Sequence, residues 1–155
     1  MRPGLLLDLD RALLHSLEVA DGWNSFFGSI RERTSLSADI RELAICRIAI
    51  LNKAQFEWCQ HAPLAKEAGV DEKGLRDEQN EGEGMTPEQT AVLRYTDEMT
   101  RNIAVSETTF KDLRLYFSDK EIVELTLTIG GYNCVSRFLV ALDVGERNGL
   151  TNAKE

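Results

Sequence analysis

Three ionisable residues between residues 41 and 61 could carry out acid–base chemistry, because they lie where a largely apolar helix is followed by a second helix. Glu57 and His61 are four residues apart, so on a helix they share one face and can touch. Glu42 precedes them, and the residues that follow it up to Leu51 are apolar except for Arg47. Charged residues are rarely buried without a partner or a task. A carboxylate beside an imidazole fixes its tautomer and stabilises its protonated form, so this set can transfer protons near neutral pH.

Two other interpretations of the same three residues stay open. A buried polar cluster could simply hold the break between two helices in place. Alternatively, Glu42, Glu57 and His61 could supply three ligands to a metal ion. The sequence has only two histidines and shows no pattern of residues that would support metal ligands. We therefore predict no metal and no cofactor.

Two predicted helices would position these side chains. The first runs from about Ala38 to Leu51 and is apolar nearly all the way round, which predicts a buried helix. Asn52 and Lys53 interrupt the pattern, and Asn52 could cap a second helix from about Ala54 to Ala68. Gly69 is a natural stop for that second helix.

The remaining segments predict further helices and one polar connector. Leucines at helical spacing predict a helix from Leu5 to Ala20, and an aromatic cluster predicts another from Asp21 to Arg33. An acidic, glycine-containing connector follows Gly69 and should hold a short helix at best. Capping residues predict three more helices, over about 86–102, 106–117 and 118–148.

The last predicted helix has an apolar middle on all faces, so we expect it to be buried. Gly130 and Gly131 in that middle each cost about 1 kcal/mol relative to alanine, which predicts close approach by a neighbouring helix. The pattern I-x-E-L occurs at residues 40–43 and again at 122–125. This weak repeat favours two related helical units that pack face to face.

Length and composition restrict the class of protein. A chain of 155 residues predicts one domain, residues 1–155. The net charge of −8 and the lack of a basic cluster argue against a nucleic acid or an anionic membrane as partner. Asp8, Asp10 and Arg11 interrupt the apolar N-terminal run, so we expect neither a signal peptide nor a membrane span. Three cysteines without a CxxC motif suggest reduced thiols and a cytoplasmic location.

Five segments carry a family pattern: REL at 41–43, EWCQH at 57–61, AG at 68–69, TDEMT at 96–100 and VELTLTIGGYNCVSRFLVALDV at 123–144. With them the chain resembles the carboxymuconolactone decarboxylase-like proteins, which share an all-helical fold with alkylhydroperoxidase D. The resemblance implies an all-α, alkylhydroperoxidase D-like helical bundle with two related helical halves. It also implies a homo-oligomer, either a trimer or a hexamer built from dimers. Two helices that are apolar on all faces in so short a chain likewise favour self-association.

The resemblance also bears on the reaction. In alkylhydroperoxidase D a glutamate, two cysteines and a histidine form a relay, and alignment puts Glu42 and His61 in the outer two places. The cysteine places fall on Ala54 and Glu57, and Cys59 lies at neither, so the redox pair is missing. The decarboxylase branch instead carries Glu-x-x-x-His, which residues 57–61 match. The decarboxylases proper lack the glutamate of REL, so we expect a decarboxylase-like relative with a different substrate.

The function predicted on this basis is that of a cofactor-free lyase acting on a small carboxylated or lactone substrate. The predicted catalytic residues are His61, Glu57 and Glu42. A positive group should hold the carboxylate that departs, and the helix with Trp23 should help to wall the pocket. The predicted substrate-binding residues are Arg47, Arg137, Trp58 and Trp23.

Three alternatives remain open. Arg47 and Arg137 could instead form structural ion pairs, with Glu42 or Glu124 as partner. The protein could be a peroxide-reducing enzyme, or it could be a non-catalytic small-molecule binder or assembly subunit.

Overall fold

The computed structural model describes residues 6–77, 79 and 82–145, and in these residues it contains helices and no strand. The helices are α1 (Asp8–Leu13), α2 (Leu17–Glu32), α3 (Ala38–Leu51), α4 (Gln55–Glu67), α5 (Glu72–Arg76), α6 (Pro87–Asn102), α7 (Glu107–Leu113) and α8 (Asp119–Leu142). The predicted all-α class is confirmed.

Helix α3 is the centre of the fold. Nine of its 14 residues are buried, so the predicted buried helix is confirmed. It packs against α4, α5, α6 and α8. Because α3 is surrounded by other helices, its polar residues Glu42 and Arg47 lie inside the protein, where each needs a partner.

The junction between α3 and α4 lies where the sequence predicts it. Lys53 has a positive φ of 56° and α4 begins at Gln55. The predicted capping role of Asn52 is wrong, because Ala54 occupies the N-cap position of α4. The Asn52 amide instead donates hydrogen bonds to Asn133 Oδ1 (3.0 Å) and Ser136 Oγ (2.7 Å) on α8. The junction is thereby fixed to α8.

The N-terminal helices divide at a different place from the predicted one. The chain leaves the helical path before Ser16, whose extended backbone (φ −139°) precedes α2 as its N-cap. Helix α2 then continues through the predicted boundary at Ala20 and Asp21, where no residue that breaks helices interrupts it. Leu5, the predicted first residue, lies outside the described residues.

The predicted capping boxes at the starts of α6 and α8 are confirmed. Thr86 Oγ1 accepts a hydrogen bond from the backbone N–H of Gln89 at 3.1 Å, and Ser118 and Glu121 form a second capping box. Two predicted ends are wrong. Helix α7 stops at residue 113, and α8 stops at 142, where Asp143 takes a left-handed conformation with φ 55°. Residue 148, the predicted end of α8, lies outside the described residues.

Helix α8 is buried on one side only, which corrects the prediction of burial on all sides. Val123 is 58% exposed and Leu127 is 49% exposed, although both are apolar. By length and composition α8 could cross a membrane, but half of its most apolar window is buried inside the protein. That is the usual pattern of a core helix packed through one face.

The predicted close approach to α8 occurs at Gly131. A Cβ added there would lie 3.1 Å from Phe27 and 3.2 Å from both Ile30 and Phe26, all on α2. At Gly130 an added Cβ would meet only Met99, at an ordinary 3.7 Å. Gly131 is therefore the residue that lets α2 pack directly on α8.

Candidate active site

His61 and Glu42 form a hydrogen-bonded pair across the junction of α3 and α4. His61 Nδ1 lies 2.7 Å from Glu42 Oε2, although 19 residues separate the two in sequence. The side chains are 15% and 5% exposed respectively. A carboxylate on Nδ1 orients the imidazole and leaves Nε2 as the nitrogen that can exchange a proton with a ligand.

Arg41 supports the charged form of Glu42. Its Nε donates to Glu42 Oε1 at 3.2 Å, so each oxygen of the carboxylate has one partner. Burial raises the pKa of Glu42, but the hydrogen bond and charge of His61, together with Arg41, outweigh burial and hold it below its usual value. Glu42 is therefore an ionised carboxylate at neutral pH, and it accepts the hydrogen bond from His61 Nδ1–H.

A cavity of about 410 Å³ opens beside His61, between α2, α4 and α8. This volume suits a small organic molecule. Its apolar wall comes from Leu7, Leu9, Trp23, Phe27, Phe56, Leu64, Val135 and Leu139. Its polar lining comes from Arg31, Glu57, Gln60, His61 and Tyr132. The cavity thus combines a mostly apolar surface with a few polar groups, as ligand sites usually do.

Glu57 lies in the wall of this cavity one helical turn before His61, as its spacing predicts. Glu57 is only 2% exposed to solvent. The carboxylate that accepts the hydrogen bond from the imidazole belongs to Glu42 on α3, so the predicted carboxylate partner of His61 is the residue from the neighbouring helix. Glu57 is a second carboxylate of the same site.

Aromatic contacts fix the wall opposite α4. The Trp23 and Phe27 rings lie 4.6 Å apart, and Phe27 meets the edge of Tyr132 with ring centroids 5.6 Å apart. Tyr132 in turn meets the edge of the His61 ring at 5.1 Å. The predicted pocket residue Trp23 therefore does line the cavity, through a chain of ring contacts that ends at His61.

Arg47 does not reach the cavity. It is fully buried, and Nε and Nη2 donate to the two oxygens of Asp97 at 2.6 and 2.7 Å. Nη1 donates to the backbone carbonyls of Asp77 and Leu75 at 2.6 and 3.3 Å. The structural ion pair is the interpretation that fits these contacts, with Asp97 as the partner in place of Glu42 or Glu124.

Arg137 and Trp58 also lie away from the cavity. Arg137 is exposed and donates to the backbone carbonyl of Asn133 at 3.0 Å. Trp58 lies in a different groove beside Lys53, where the Arg76 guanidinium stacks 4.3 Å above its ring. The structure therefore brings together Glu42, Glu57, His61 and Trp23 from the predicted set, but not the two arginines or the second tryptophan.

Sequence reasoning missed three polar residues of the cavity, Arg31, Gln60 and Tyr132. A signal for Arg31 was present, since Trp23, Phe27 and Arg31 recur every four residues and so share one face of α2. Tyr132 gave no such signal, because its position depends on how α8 packs against two other helices. The sequence alone did not connect it with His61.

The chain's three cysteines all lie away from this cavity. Cys46 is buried in α3, and burial raises the pKa of its thiol above the usual range. Cys59 and Cys134 are exposed. Among the described residues there is no group of three or more histidine, cysteine or acidic side chains arranged to hold a metal ion.

Comparison with protein-family models gives a match to the carboxymuconolactone decarboxylase family over residues 18–98, just over half of the chain. The chain belongs to the carboxymuconolactone decarboxylase family. The matched segment includes nearly all of α2 and the whole of α3 and α4, and therefore the His61–Glu42 pair, but not α8. Comparison with curated proteins finds no match.

The solved structures that share the fold of this protein include the following three. One is a protein of unknown function from Agrobacterium tumefaciens, provisionally named as the antioxidant defence protein AhpD, with a TM-score of 0.73 and 23% identity over 84% of this chain and 91% of that one. A peroxidase-related protein from Silicibacter sp. TM1040 has a TM-score of 0.68 and 20% identity, covering 86% and 72%. A cysteine-to-alanine variant of the debrominase Bmp8, bound to 2,3,4-tribromopyrrole, has a TM-score of 0.75 and 15% identity, covering 96% and 83%. At these identities the likeness establishes the alkylhydroperoxidase D-like fold and leaves the reaction open.

Proposed function

We propose that this protein is a cofactor-free lyase that acts on a small carboxylated or lactone substrate by acid–base catalysis. The observation that carries the proposal is the 2.7 Å hydrogen bond between His61 Nδ1 and the buried, ionised Glu42, at the edge of a cavity of about 410 Å³. In this pair the carboxylate fixes the orientation of the imidazole, so that Nε2 faces the cavity side of the ring as the nitrogen that exchanges a proton with the substrate.

The proposed step is the decarboxylation of a lactone acid. The bond between the carboxylate carbon and the ring carbon breaks, carbon dioxide leaves, and the electron pair delocalises onto the lactone carbonyl as an enolate. Protonated His61 then donates the Nε2 proton to the carbon, and the neutral imidazole regains a proton from solvent. Glu42 stabilises the imidazolium before the transfer, and Glu57 is the second carboxylate of the site.

The positions of the thiols support this chemistry over the peroxide-reducing alternative. A thiol relay needs a reactive cysteine at the site, whereas here Ala54 and Glu57 occupy the two cysteine places. None of the chain's cysteines lines the cavity. The non-catalytic alternative predicts a different experimental result, since such a protein would bind small acids without converting them.

The test is turnover of a panel of small lactone acids that begins with carboxymuconolactone, with release of carbon dioxide as the readout. His61→Gln should lower kcat by about 10² to 10⁴-fold. Glu42→Gln and Glu57→Gln should lower it less, because each replaces a carboxyl group with an amide of nearly the same shape and leaves the imidazole in place. Cys59→Ser is the matched control and should stay within a few-fold of the parent.

Circular dichroism serves as the folding control for all four variants. A folded His61→Gln protein with parental turnover would show that the pair is structural. Turnover that is lost in Cys59→Ser, together with thiol-dependent peroxide reduction, would support the redox alternative instead. Binding without any turnover across the panel would support the non-catalytic alternative.

We also propose that the protein works in the cytoplasm as a homo-oligomer, a trimer or a hexamer built from dimers. The outward face of α8 supports self-association, because Val123, Leu127, Gly130 and Cys134 are all exposed and follow the alternating spacing of a helix–helix seam. Exposed apolar surface of this kind usually marks a contact with a partner.

A further inference from the structure

Arg31 is a cation in the cavity wall that has no counterion among the described residues. It lies on the face of α2 that also carries Trp23 and Phe27, and all three line the cavity. The described part of the chain contains no ion pair or carboxylate hydrogen bond to its guanidinium. Arg47 differs in this respect, because it is held by Asp97 through two hydrogen bonds. The positive charge of Arg31 is thus not neutralised by a carboxylate of the described residues, and its guanidinium can pair with the acid group of a ligand.

Tyr132 places a second donor in the same wall. Tyr132 is only 2% exposed to solvent. Its hydroxyl oxygen is buried and has no hydrogen bond of normal geometry to any residue that the structure describes. A buried hydroxyl without a partner is costly, so such a group commonly has a ligand or a water as its partner. Contacts with Phe27 and His61 at 5.6 and 5.1 Å hold the ring on two sides. The hydroxyl is therefore fixed in position before a ligand arrives.

The two donors lie close together. Burial raises the pKa of the Tyr132 hydroxyl to about 12, whereas the positive charge of Arg31 and a contact of its guanidinium with the phenol oxygen act in the opposite direction. The phenol is consequently protonated at neutral pH and can donate a hydrogen bond. A guanidinium has only donors. Together they match a ligand group that has two acceptor oxygens and a negative charge.

We propose that Arg31 and Tyr132 form a carboxylate-binding subsite, which holds the acid group of a small ring carboxylate while the ring packs against Trp23 and Phe27. A guanidinium fork binds a carboxylate through two parallel hydrogen bonds, which is why arginine serves this purpose better than lysine. The proposal rests on the proposed function only in taking a carboxylated substrate as the ligand. It assigns to Arg31 the role that the sequence suggested for Arg47 and Arg137.

The experiment measures binding of benzoate and of its neutral analogue benzamide to the full chain by titration calorimetry. Benzoate should bind the parent at least about tenfold more tightly than benzamide, since only benzoate can form charge-assisted hydrogen bonds. Arg31→Gln should weaken benzoate binding by about tenfold to a hundredfold and leave benzamide binding almost unchanged. Tyr132→Phe keeps the ring contacts and should weaken benzoate binding several-fold.

Arg33→Gln is the matched control, because Arg33 is exposed, lies two residues further along at the end of α2 and does not line the cavity. It removes the same charge and should leave both affinities at the parental level. The indole NMR signals of the two tryptophans locate the ligand. The Trp23 signal should shift with benzoate, whereas the Trp58 signal, from a different groove, should not.

Equal affinity of the parent for benzoate and benzamide, or no benzoate binding at millimolar concentration, would overturn the subsite. The same holds if Arg31→Gln and Arg33→Gln weaken binding equally, since the effect would then be one of net charge. Turnover plays no part in these measurements. Failure of the lyase test would therefore leave a selective, Arg31-dependent carboxylate site intact, and a failed binding test would leave a working His61 lyase intact.

Discussion

Replacement of Gly131 by alanine tests the packing that brings α2 to the cavity. The new Cβ would lie 3.1 Å from Phe27 Cε1 and 3.2 Å from Ile30 Cδ1. The first distance is about 0.4 Å short of the roughly 3.5 Å at which carbon–carbon contacts become favourable. Phe27 and Ile30 are each 3% exposed, so neither ring nor methyl group can move into solvent. The substitution therefore pushes α2 away from α8.

Two opposing effects determine how much Gly131→Ala changes the free energy of unfolding. Alanine is favoured over glycine inside a helix by about 1 kcal/mol. Overpacking of a buried contact typically costs about 1 to 3 kcal/mol. We expect Gly131→Ala to change the free energy of unfolding by between zero and a loss of about 2 kcal/mol. The matched control is Gly22→Ala in the exposed part of α2, where an added Cβ meets nothing within 4 Å. That variant should be unchanged or more stable by up to about 1 kcal/mol.

The assay is urea unfolding followed by far-ultraviolet circular dichroism, with parent and both variants at one protein concentration. Gly131→Ala should be less stable than Gly22→Ala by about 1 to 3 kcal/mol. It should also weaken benzoate binding, because a displaced α2 carries Arg31 away from Tyr132. Equal stabilisation by the two substitutions would refute the reasoning, since α2 would then not be in tight contact with α8 at this residue.

Three further results are expected. Asp97→Asn should lower the free energy of unfolding by about 3 kcal/mol, because it leaves the fully buried Arg47 without its carboxylate partner. Urea unfolding measures this loss of stability, and a loss within error of zero would contradict the prediction. The pKa of Glu42 in the folded protein lies below its ordinary value of 4.5. The ionised Glu42 therefore contributes its full stabilisation of the fold above pH 4.5, and this contribution is lost as the pH falls through the folded-state pKa. The stability difference between parent and Glu42→Gln should therefore be largest at neutral pH and shrink in acid; a difference that grows in acid would reverse the sign we assign. Light scattering should show a trimer or hexamer at micromolar concentration, and a 17.4 kDa monomer would refute self-association.

The sequence alone determined those features that depend on residues close together in the chain. The capping box at Thr86 and Gln89 involves residues three apart, and its hydrogen bonds are as the sequence predicts. Gly69 ends α4 with a positive φ of 89°, which glycine adopts without strain. The burial of α3 follows from a composition with no polar face. Each of these is a local property, so tertiary packing had little opportunity to change it.

Only the tertiary structure decided which residues meet at the candidate site. By spacing, Glu57 was the obvious partner of His61, yet the observed hydrogen bond joins His61 to the carboxylate of Glu42, 19 residues away. Likewise, an arginine in an apolar helix gave no indication of its surroundings. Arg47 is held by Asp97, 50 residues away, whereas Arg31 lines the cavity. Helical periodicity specifies the face on which a side chain lies, but the angle at which neighbouring helices pack determines what that face meets.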